Sequence, residues 1–428
     1  MSKYSLIKWK YLAKENMMYG ANESAEHDDM SYPRYIRITD LDNEGNLKED
    51  TFKSLPPQIA APYLLSEGDI LLARSGATVG KAYIHKGDLN ACFAGYLIKF
   101  SSRKDLVNPK FVFYYTQTKY YASWIAENTI QATIQNVSAE KYANLQMPLP
   151  SLDIQDEIVK YLDMKVDDLN ITVSSKERLL YLLEEKRQSI ITEAVTKGLN
   201  PNVKMKDSGV EWIGEIPEHW EVKKVKHFSK LVGSGKTPSG GSEVYLDEGI
   251  PFLRSLNVHF EGIRLKNLAF ISEEIDNEMR STRIQPLDNL LNITGASIGR
   301  SCIVPKDFGR GNVNQHVCII RVNQNKINPY YFNSIMNSKM AMDQIMTAQT
   351  GSSREGLNFQ QVKNLMFPVA PLEEQEELNR FIFTKQKEIY NVINRIESQI
   401  QKLKEYRQSL IYEAVTGKLD VRELIAEK

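Results

Sequence analysis

Along two stretches of the chain, apolar residues recur in alternating steps of four and three. In the first, the positions are Leu162, Val166, Leu169, Val173, Lys176, Leu180, Leu183, Arg187, Ile190 and Ala194. In the second, 220 residues later, they are Ile382, Gln386, Ile389, Ile393, Ile396, Ile400, Leu403, Arg407, Leu410 and Ala414. Eight of the ten are apolar in each series, and this heptad spacing predicts two amphipathic helices. Each is expected to span about 40–45 residues, or roughly 60–65 Å at 1.5 Å per residue. A seam of that length needs a partner, and the other helix is the obvious one. With enough chain between them for a globule, the simplest closure is an antiparallel coiled coil carrying a globule at each end, with pseudo-two-fold symmetry. The alternative is two unrelated amphipathic helices, each packed on its own globule. The seam is assigned to Leu169, Leu180, Leu183, Arg187 and Ile190 on one helix and to Ile389, Ile400, Leu403, Arg407 and Leu410 on the other. The two arginines either pair with acidic residues or reach a partner subunit.

The repeat extends beyond the helices. Leu152–Leu199 recurs as Leu372–Leu419 without a gap, from Leu152, Gln155 and Glu157 (Leu372, Gln375 and Glu377) to RQSIITEAVTKGL and RQSLIYEAVTGKL. Fainter echoes join the segments between: Gly76–Lys81 and Gly295–Arg300, Asn108–Phe111 and Asn328–Tyr331, Ile36-Arg37 and Leu253-Arg254. A period of this size means two domain-sized copies, not a solenoid. Glycine at Gly198 and Gly417 marks the helix ends, and 199–209 reads as a polar linker with Pro and Gly. Ile70–Arg74, Tyr96–Phe100, Leu290–Ile293 and Val317–Val322 read as strands. Phe111–Ala126 and Tyr330–Met346 read as aromatic-rich helices after Asn-Pro. Strands and helices in irregular order predict an α+β class. The expected organisation is a globule at 1–150, a helix and linker at 151–207, a second globule at 208–370 and a distal helix at 371–428.

Composition narrows the class without choosing the function. The 428 residues suffice for two or three cores. No apolar run approaches the ~20 residues of a membrane span, and the N-terminus has no signal-peptide core, so a cytoplasmic protein without membrane contact is expected. Cys92, Cys302 and Cys318 have neither metal-site nor disulfide-framework spacing, which suggests buried reduced thiols. Fifty-four basic residues balance fifty-four acidic ones; a nucleic-acid partner would then need basic faces offset elsewhere. The cluster Glu373, Glu374, Glu376 and Glu377 suits the positive end of a helix dipole.

Several motifs stop short of an active site. Gly233-Ser234-Gly235-Lys236-Thr237 looks like the end of a phosphate-binding loop, but Lys230 stands where that loop needs glycine. Gly76–Lys81 has the wrong spacing and no Ser/Thr after its lysine. Asn328-Pro329-Tyr330-Tyr331 lacks the second proline of the adenine methyltransferase motif. His85, His227, His259 and His316 are isolated, with no spacing for a metal site or triad.

Taken together, the chain resembles the specificity subunits of type I restriction-modification systems. The resemblance rests on the duplication, the heptad helices ending EAVTKGL and EAVTGKL, and the helix entries Ser-Leu-Asp-Ile-Gln-Asp-Glu and Pro-Leu-Glu-Glu-Gln-Glu. It rests also on the opener GVEWIGEIPEHW, and on SGKTPSG followed by GIPFLRSLNV. The first globule departs from the pattern, lacking that opener and the SGKTP loop. The resemblance implies two target recognition domains, each reading one half of a split, asymmetric site in double-stranded DNA. It implies that the paired helices set the unread spacer and dock two methyltransferase subunits, with restriction/translocase subunits joining for cleavage. The chain itself would be non-catalytic, and S-adenosylmethionine, ATP and magnesium would belong to the partners. Rival readings are a single-chain DNA-modifying enzyme, a methyltransferase or nuclease, and a coiled-coil scaffold that binds only proteins. DNA contacts divide into phosphate anchors and base readers. The candidates in polar or glycine-rich loops are Arg34, Arg37, Arg74, Ser75 and Lys81 in the first globule. In the second they are Lys236, Thr237, Arg254, Asn257, Arg300, Asn314, Gln315, His316, Ser353 and Arg354. Arg and Lys suit guanine edges or phosphates, Asn and Gln suit adenine; for each, surface decoration or an internal ion pair is the competing role.

Overall fold

A computed structural model describes residues 3–42, 45–129, 136–349 and 356–426. Both heptad stretches are single long helices, Leu152–Lys197 and Leu372–Thr416, of 46 and 45 residues. Gly198 and Gly417 follow them at φ +76° and +72°, the left-handed conformation that ends a helix and that glycine adopts without a Cβ penalty. All ten heptad positions on each helix are buried or half-buried, while most residues between them are exposed.

By packing, the chain divides into two compact units, residues 1–177 with 397–428, and residues 178–396. Each long helix contributes one segment to each unit. In the first unit, Leu162 and Val166 share a core with Leu410, Ile411 and Ala414. Arg407 Nη1 donates to Asn170 Oδ1 at 2.6 Å, Lys176 Nζ donates to Gln399 Oε1 at 2.8 Å, and Lys404 bonds Glu177 at 3.1 Å. These three bonds join the two long helices within this unit. In the second unit, Ile191, Ala194 and Val195 share a core with Leu378 and Ile382. Arg187 there bonds its own neighbour Glu184.

The two units repeat one framework. In the first, an antiparallel sheet runs in the order Met18–Tyr19, Leu97–Phe100, Ile70–Ala73, Ala82–Ile84. In the second, the same order is Ser229–Ser234, Val317–Val322, Asn289–Asn292, Ser301–Ile303. Beside each lies a parallel pair, Arg34–Ile36 with Ala91–Phe93 and Ile250–Leu253 with Asn312–Val313. A short antiparallel pair closes each unit against its long helix, Leu6–Lys8 with Gln146–Pro148 and Glu221–Lys224 with Met366–Val369. The class is mixed helix and sheet, with the expected strands in place.

One expectation needs correction. Phe111–Ala126 and Tyr330–Met346 are not single helices: the chain forms Pro109–Thr116 then Lys119–Thr129, and Pro329–Met336 then Lys339–Gln349. The break comes from a hydroxyl that bonds backbone on both sides. Ser338 Oγ donates to Ile335 O at 2.6 Å and accepts from Ala341 N–H at 3.2 Å; Thr118 does the same with Tyr115 and Tyr121. Beyond the first long helix, Met205–Asp207 of the polar linker pairs with Glu215–Pro217 in a hairpin. That hairpin leads Trp220 into the core, where its indole N–H donates to Glu374 at 2.9 Å. Glu374 therefore does more than answer the helix dipole.

A repeated glutamine ties each long helix to its globule. Gln155 accepts from the Asn108 N–H at 2.9 Å and donates to Pro150 O at 2.9 Å and Leu106 O at 3.2 Å. Gln375 accepts from the Asn328 N–H at 2.7 Å and donates to Ala370 O at 2.6 Å. Both side chains are fully buried. Asn108 and Asn328 in turn cap the Asn-Pro helices, with proline at the first helical position, where its missing N–H costs nothing.

Candidate nucleic-acid interface

In the second unit, three loops meet above the ends of the four-stranded sheet. The first follows strand Ser229–Ser234 and carries Lys236 and Thr237; the second carries Asn314, Gln315 and His316 into strand Val317–Val322; the third begins at Thr294. Gly235 allows the first two to touch: a Cβ there would lie 1.6 Å from Val313 O. This glycine serves close backbone approach, not phosphate binding. Thr237 Oγ1 bonds Gln315 Oε1, Gln315 Nε2 lies 3.0 Å from His316 Nε2, and His316 Nδ1 lies 2.6 Å from Thr294 Oγ1. Lys236, Thr237 and Gln315 are exposed and His316 is half-buried. Thr294, unremarkable in sequence, closes the chain of bonds, and Gly356 bridges to it. Ser353 and Arg354 lie outside the described residues.

The first unit fills the corresponding place with other chemistry. Gly20 matches Gly235, a Cβ there lying 2.2 Å from Phe93 O. The Arg74 guanidinium stacks 4.4 Å from the centre of the Tyr19 ring, and its Nε donates to Asn136 Oδ1 at 3.2 Å. Tyr96 precedes strand Leu97–Phe100 as His316 precedes Val317–Val322, and it is 60% exposed. Ser75, half-buried, bridges to Asn136 and accepts from Thr78 through its carbonyl at 3.3 Å. Tyr19, Tyr96 and Asn136 were missed in the sequence; an aromatic residue at the rim of a strand reads equally well as core.

Two further candidates match between the units. Lys81 and Arg300 follow turns whose glycines, Gly76 and Gly80, Gly295 and Gly299, all have positive φ. Both side chains are half-buried, and neither has a hydrogen-bond or ion-pair partner among the described residues. They are free cations suited to phosphate.

Others are engaged by the protein itself. Arg37 holds buried Asp40 through Nε at 3.0 Å and Nη2 at 2.7 Å, and Nη2 also donates to Thr51 O at 2.9 Å. At the matching place, Arg254 donates to Asn267 O at 2.8 Å. Asn257, fully buried, accepts from the Arg254 N–H at 3.0 Å and donates to Arg264 O at 2.8 Å. Arg34 donates to Lys48 O at 2.6 Å and sits over the Phe52 ring. Asn314 is buried and accepts from the His316 N–H at 3.1 Å. Asn257 and Asn314 are both buried, and their side chains brace their own loops. The shared role of Arg37 and Arg254 is to latch matching loops.

Among the described residues, no cluster of three or more His, Cys, Asp or Glu could hold a metal, and no helix is long and apolar enough to cross a membrane. The three cysteines are free and buried, and burial pushes each thiol up to about 12.

Comparison with known proteins agrees with this duplicated framework. The family model described as type I restriction modification DNA specificity domain matches residues 13–180 and again 217–407. The EcoBI specificity subunit of Escherichia coli is 24% identical over 90% of this chain and 79% of its own length. The MjaVIII specificity subunit of Methanocaldococcus jannaschii is 22% identical over 84% of this chain and 81% of its own. A chain from a structural study of complex assembly and conformational transition of the type I R-M system superposes with a TM-score of 0.73 at 14% identity, covering 97% of this chain and 98% of that one. With the model matching both copies of the repeat, the chain belongs to the type I restriction modification DNA specificity family.

Proposed function

We propose that this chain is the non-catalytic DNA specificity subunit of a type I restriction-modification complex, and that its two globules read the two halves of a bipartite, asymmetric site. The observation that carries this reading is one framework presenting different side chains at the same place: Thr237, Gln315 and His316 in one unit, Tyr19, Arg74 and Tyr96 in the other. Two readers of the same shape and different chemistry suit two half-sites of different sequence, as a dimer's geometry suits its half-site spacing. Lys81, Arg300 and Lys236 are the phosphate anchors and the loop side chains the base readers. Residues 1–150 and 208–370 form the recognition domains; 151–207 and 371–428 form the spacer. The heptad seams, including Leu169, Leu180, Leu183, Ile190, Ile389, Ile400, Leu403 and Leu410, pair as an antiparallel coiled coil, a reading supported by the Asn170–Arg407 and Lys176–Gln399 bonds. The rod sets the spacer and docks two methyltransferase subunits, while S-adenosylmethionine, ATP, magnesium and the restriction/translocase subunits belong to the assembled complex.

The test is a domain exchange. Residues 208–370 are replaced by the second globule of another specificity subunit, and methylated motifs are sequenced in cells that also carry the methyltransferase subunit. One half-site changes and the other stays. Change in both halves, or methylation that does not depend on this chain, overturns the reading.

A further inference from the structure

We infer that Gln315 is a specificity-determining residue that reads an adenine, held ready for it by Thr237 and His316. The inference rests on the DNA-reading role proposed above and adds to it a residue, a base and a positioning device.

A side-chain amide has two acceptor lone pairs on oxygen and two N–H donors on nitrogen. In Gln315, the oxygen bonds Thr237 Oγ1 and the nitrogen faces His316 Nε2. With the amide so placed, His316 Nε2 accepts, so the ring proton sits on Nδ1 and is donated to Thr294 Oγ1. The reverse polarity is also self-consistent: Thr294 donates to Nδ1, Nε2–H donates to the amide oxygen, and the amide nitrogen donates to Thr237. Either way, each end of the amide uses one site internally, and one lone pair and one N–H remain. That remainder, an acceptor beside a donor, matches the N6 donor and N7 acceptor of adenine in the major groove.

The amide is also preorganised. Thr237 and His316 clamp it from two loops, and Gly235 brings those loops into backbone contact. His316 is fixed in turn by the Asn314 side chain on its N–H at 3.1 Å and by the Ile293 N–H on its carbonyl at 3.0 Å. Yet Gln315 itself is exposed. An exposed glutamine normally loses rotamer freedom when it binds; here much of that loss is already incurred in the fold. The first unit has Gly95 at the matching position, before Tyr96, so this reading belongs to one half-site only.

The full chain is co-expressed with the methyltransferase subunits of its own system, and methylated motifs are sequenced. Gln315→Ala is expected to make one A·T position degenerate, with discrimination there falling about 5- to 150-fold, and to leave the other half-site untouched. Gln315→Glu, an acceptor only, moves that position toward cytosine. Thr237→Val relaxes the same position more weakly and no other position, and Thr237→Ser restores it; loss of a merely structural hydroxyl would weaken methylation without making that one position degenerate. An unchanged motif in Gln315→Ala, relaxation at a G·C position, or relaxation in both half-sites overturns the inference while leaving DNA reading intact. If Gln315→Ala abolishes methylation, Thr237→Val decides: relaxation at a single A·T position upholds the inference, and an unaltered motif overturns it. A wild-type chain that directs no bipartite methylation instead fails the broader reading.

Discussion

Replacing Gln375 by methionine tests whether the buried glutamine holds the long helix to its globule. Methionine keeps the length and volume of the side chain and removes both hydrogen bonds. Two buried backbone groups then lose their partners, the Asn328 N–H now 2.7 Å from Gln375 Oε1 and the Ala370 carbonyl now 2.6 Å from Nε2. Each orphaned group costs about 1–3 kcal/mol. Burying the thioether recovers part of that, so the net loss is about 2–4 kcal/mol. Because the loss falls where the Asn328-Pro329 helix meets the start of the long helix, it should appear as local opening. Hydrogen exchange followed by mass spectrometry on peptides covering 323–334 should quicken about 30- to 700-fold, at ~1.4 kcal/mol per tenfold. Glu376→Ala, at the exposed next position, is the control and should change little. Gln155→Met should do the same in the first unit, where the side chain makes a third bond to Leu106 O, and the two effects should add, since the sites share no partners. Exchange in Gln375→Met within about threefold of the parent would show that the glutamine is not what fastens the helix.

Asp276 is fully buried between Arg283 and Arg310, with Asn312 on its other oxygen. Burial raises its pKa, but the bonds from both arginines and Asn312 outweigh it and leave the carboxyl below its ordinary value. Its contribution is complete above the unfolded carboxylate's value of about 3.9 and is lost as pH falls through the lower folded value. Asp276→Ala should therefore cost about 3 kcal/mol at neutral pH and progressively less in acid, as urea unfolding against pH would reveal; a pH-independent difference would contradict this. The three buried thiols should resist maleimide in the native chain and label fully in denaturant; rapid native labelling would place a cysteine at the surface. Inserting four residues after Lys176 lengthens that helix by about 6 Å, against ~3.4 Å per base pair of DNA. The methylated motif should gain one base pair of spacer with both half-sites unchanged, and an active variant with the original spacer would show that the helices do not set the distance.

What the sequence determined by itself is what repeats along the chain. The heptads at Leu162–Ala194 and Ile382–Ala414, the glycine stops at Gly198 and Gly417 and the Asn-Pro helix starts all follow from short-range rules of periodicity, capping and φ. The duplication gave the family because its motifs are themselves local. Tertiary structure decided which groups each polar side chain meets, near in sequence or far. The candidates Arg37, Arg254, Asn257 and Asn314 looked like free polar loop residues. Folding brings Asp40, Thr51, Asn267 and Arg264 against the first three and the His316 backbone against the fourth, and turns them into scaffold. Gln155 and Gln375 were marks of the repeat until the fold set the Asn108 and Asn328 amides against them. Tyr19, Tyr96 and Thr294 joined the candidate site only through strand pairing that places residues far apart in the chain at one sheet end. A side chain's periodicity is written in its neighbours, but its hydrogen-bond partner is set by the folded path of its loop and the packing around it, and that partner decides whether a polar group is left free to meet DNA.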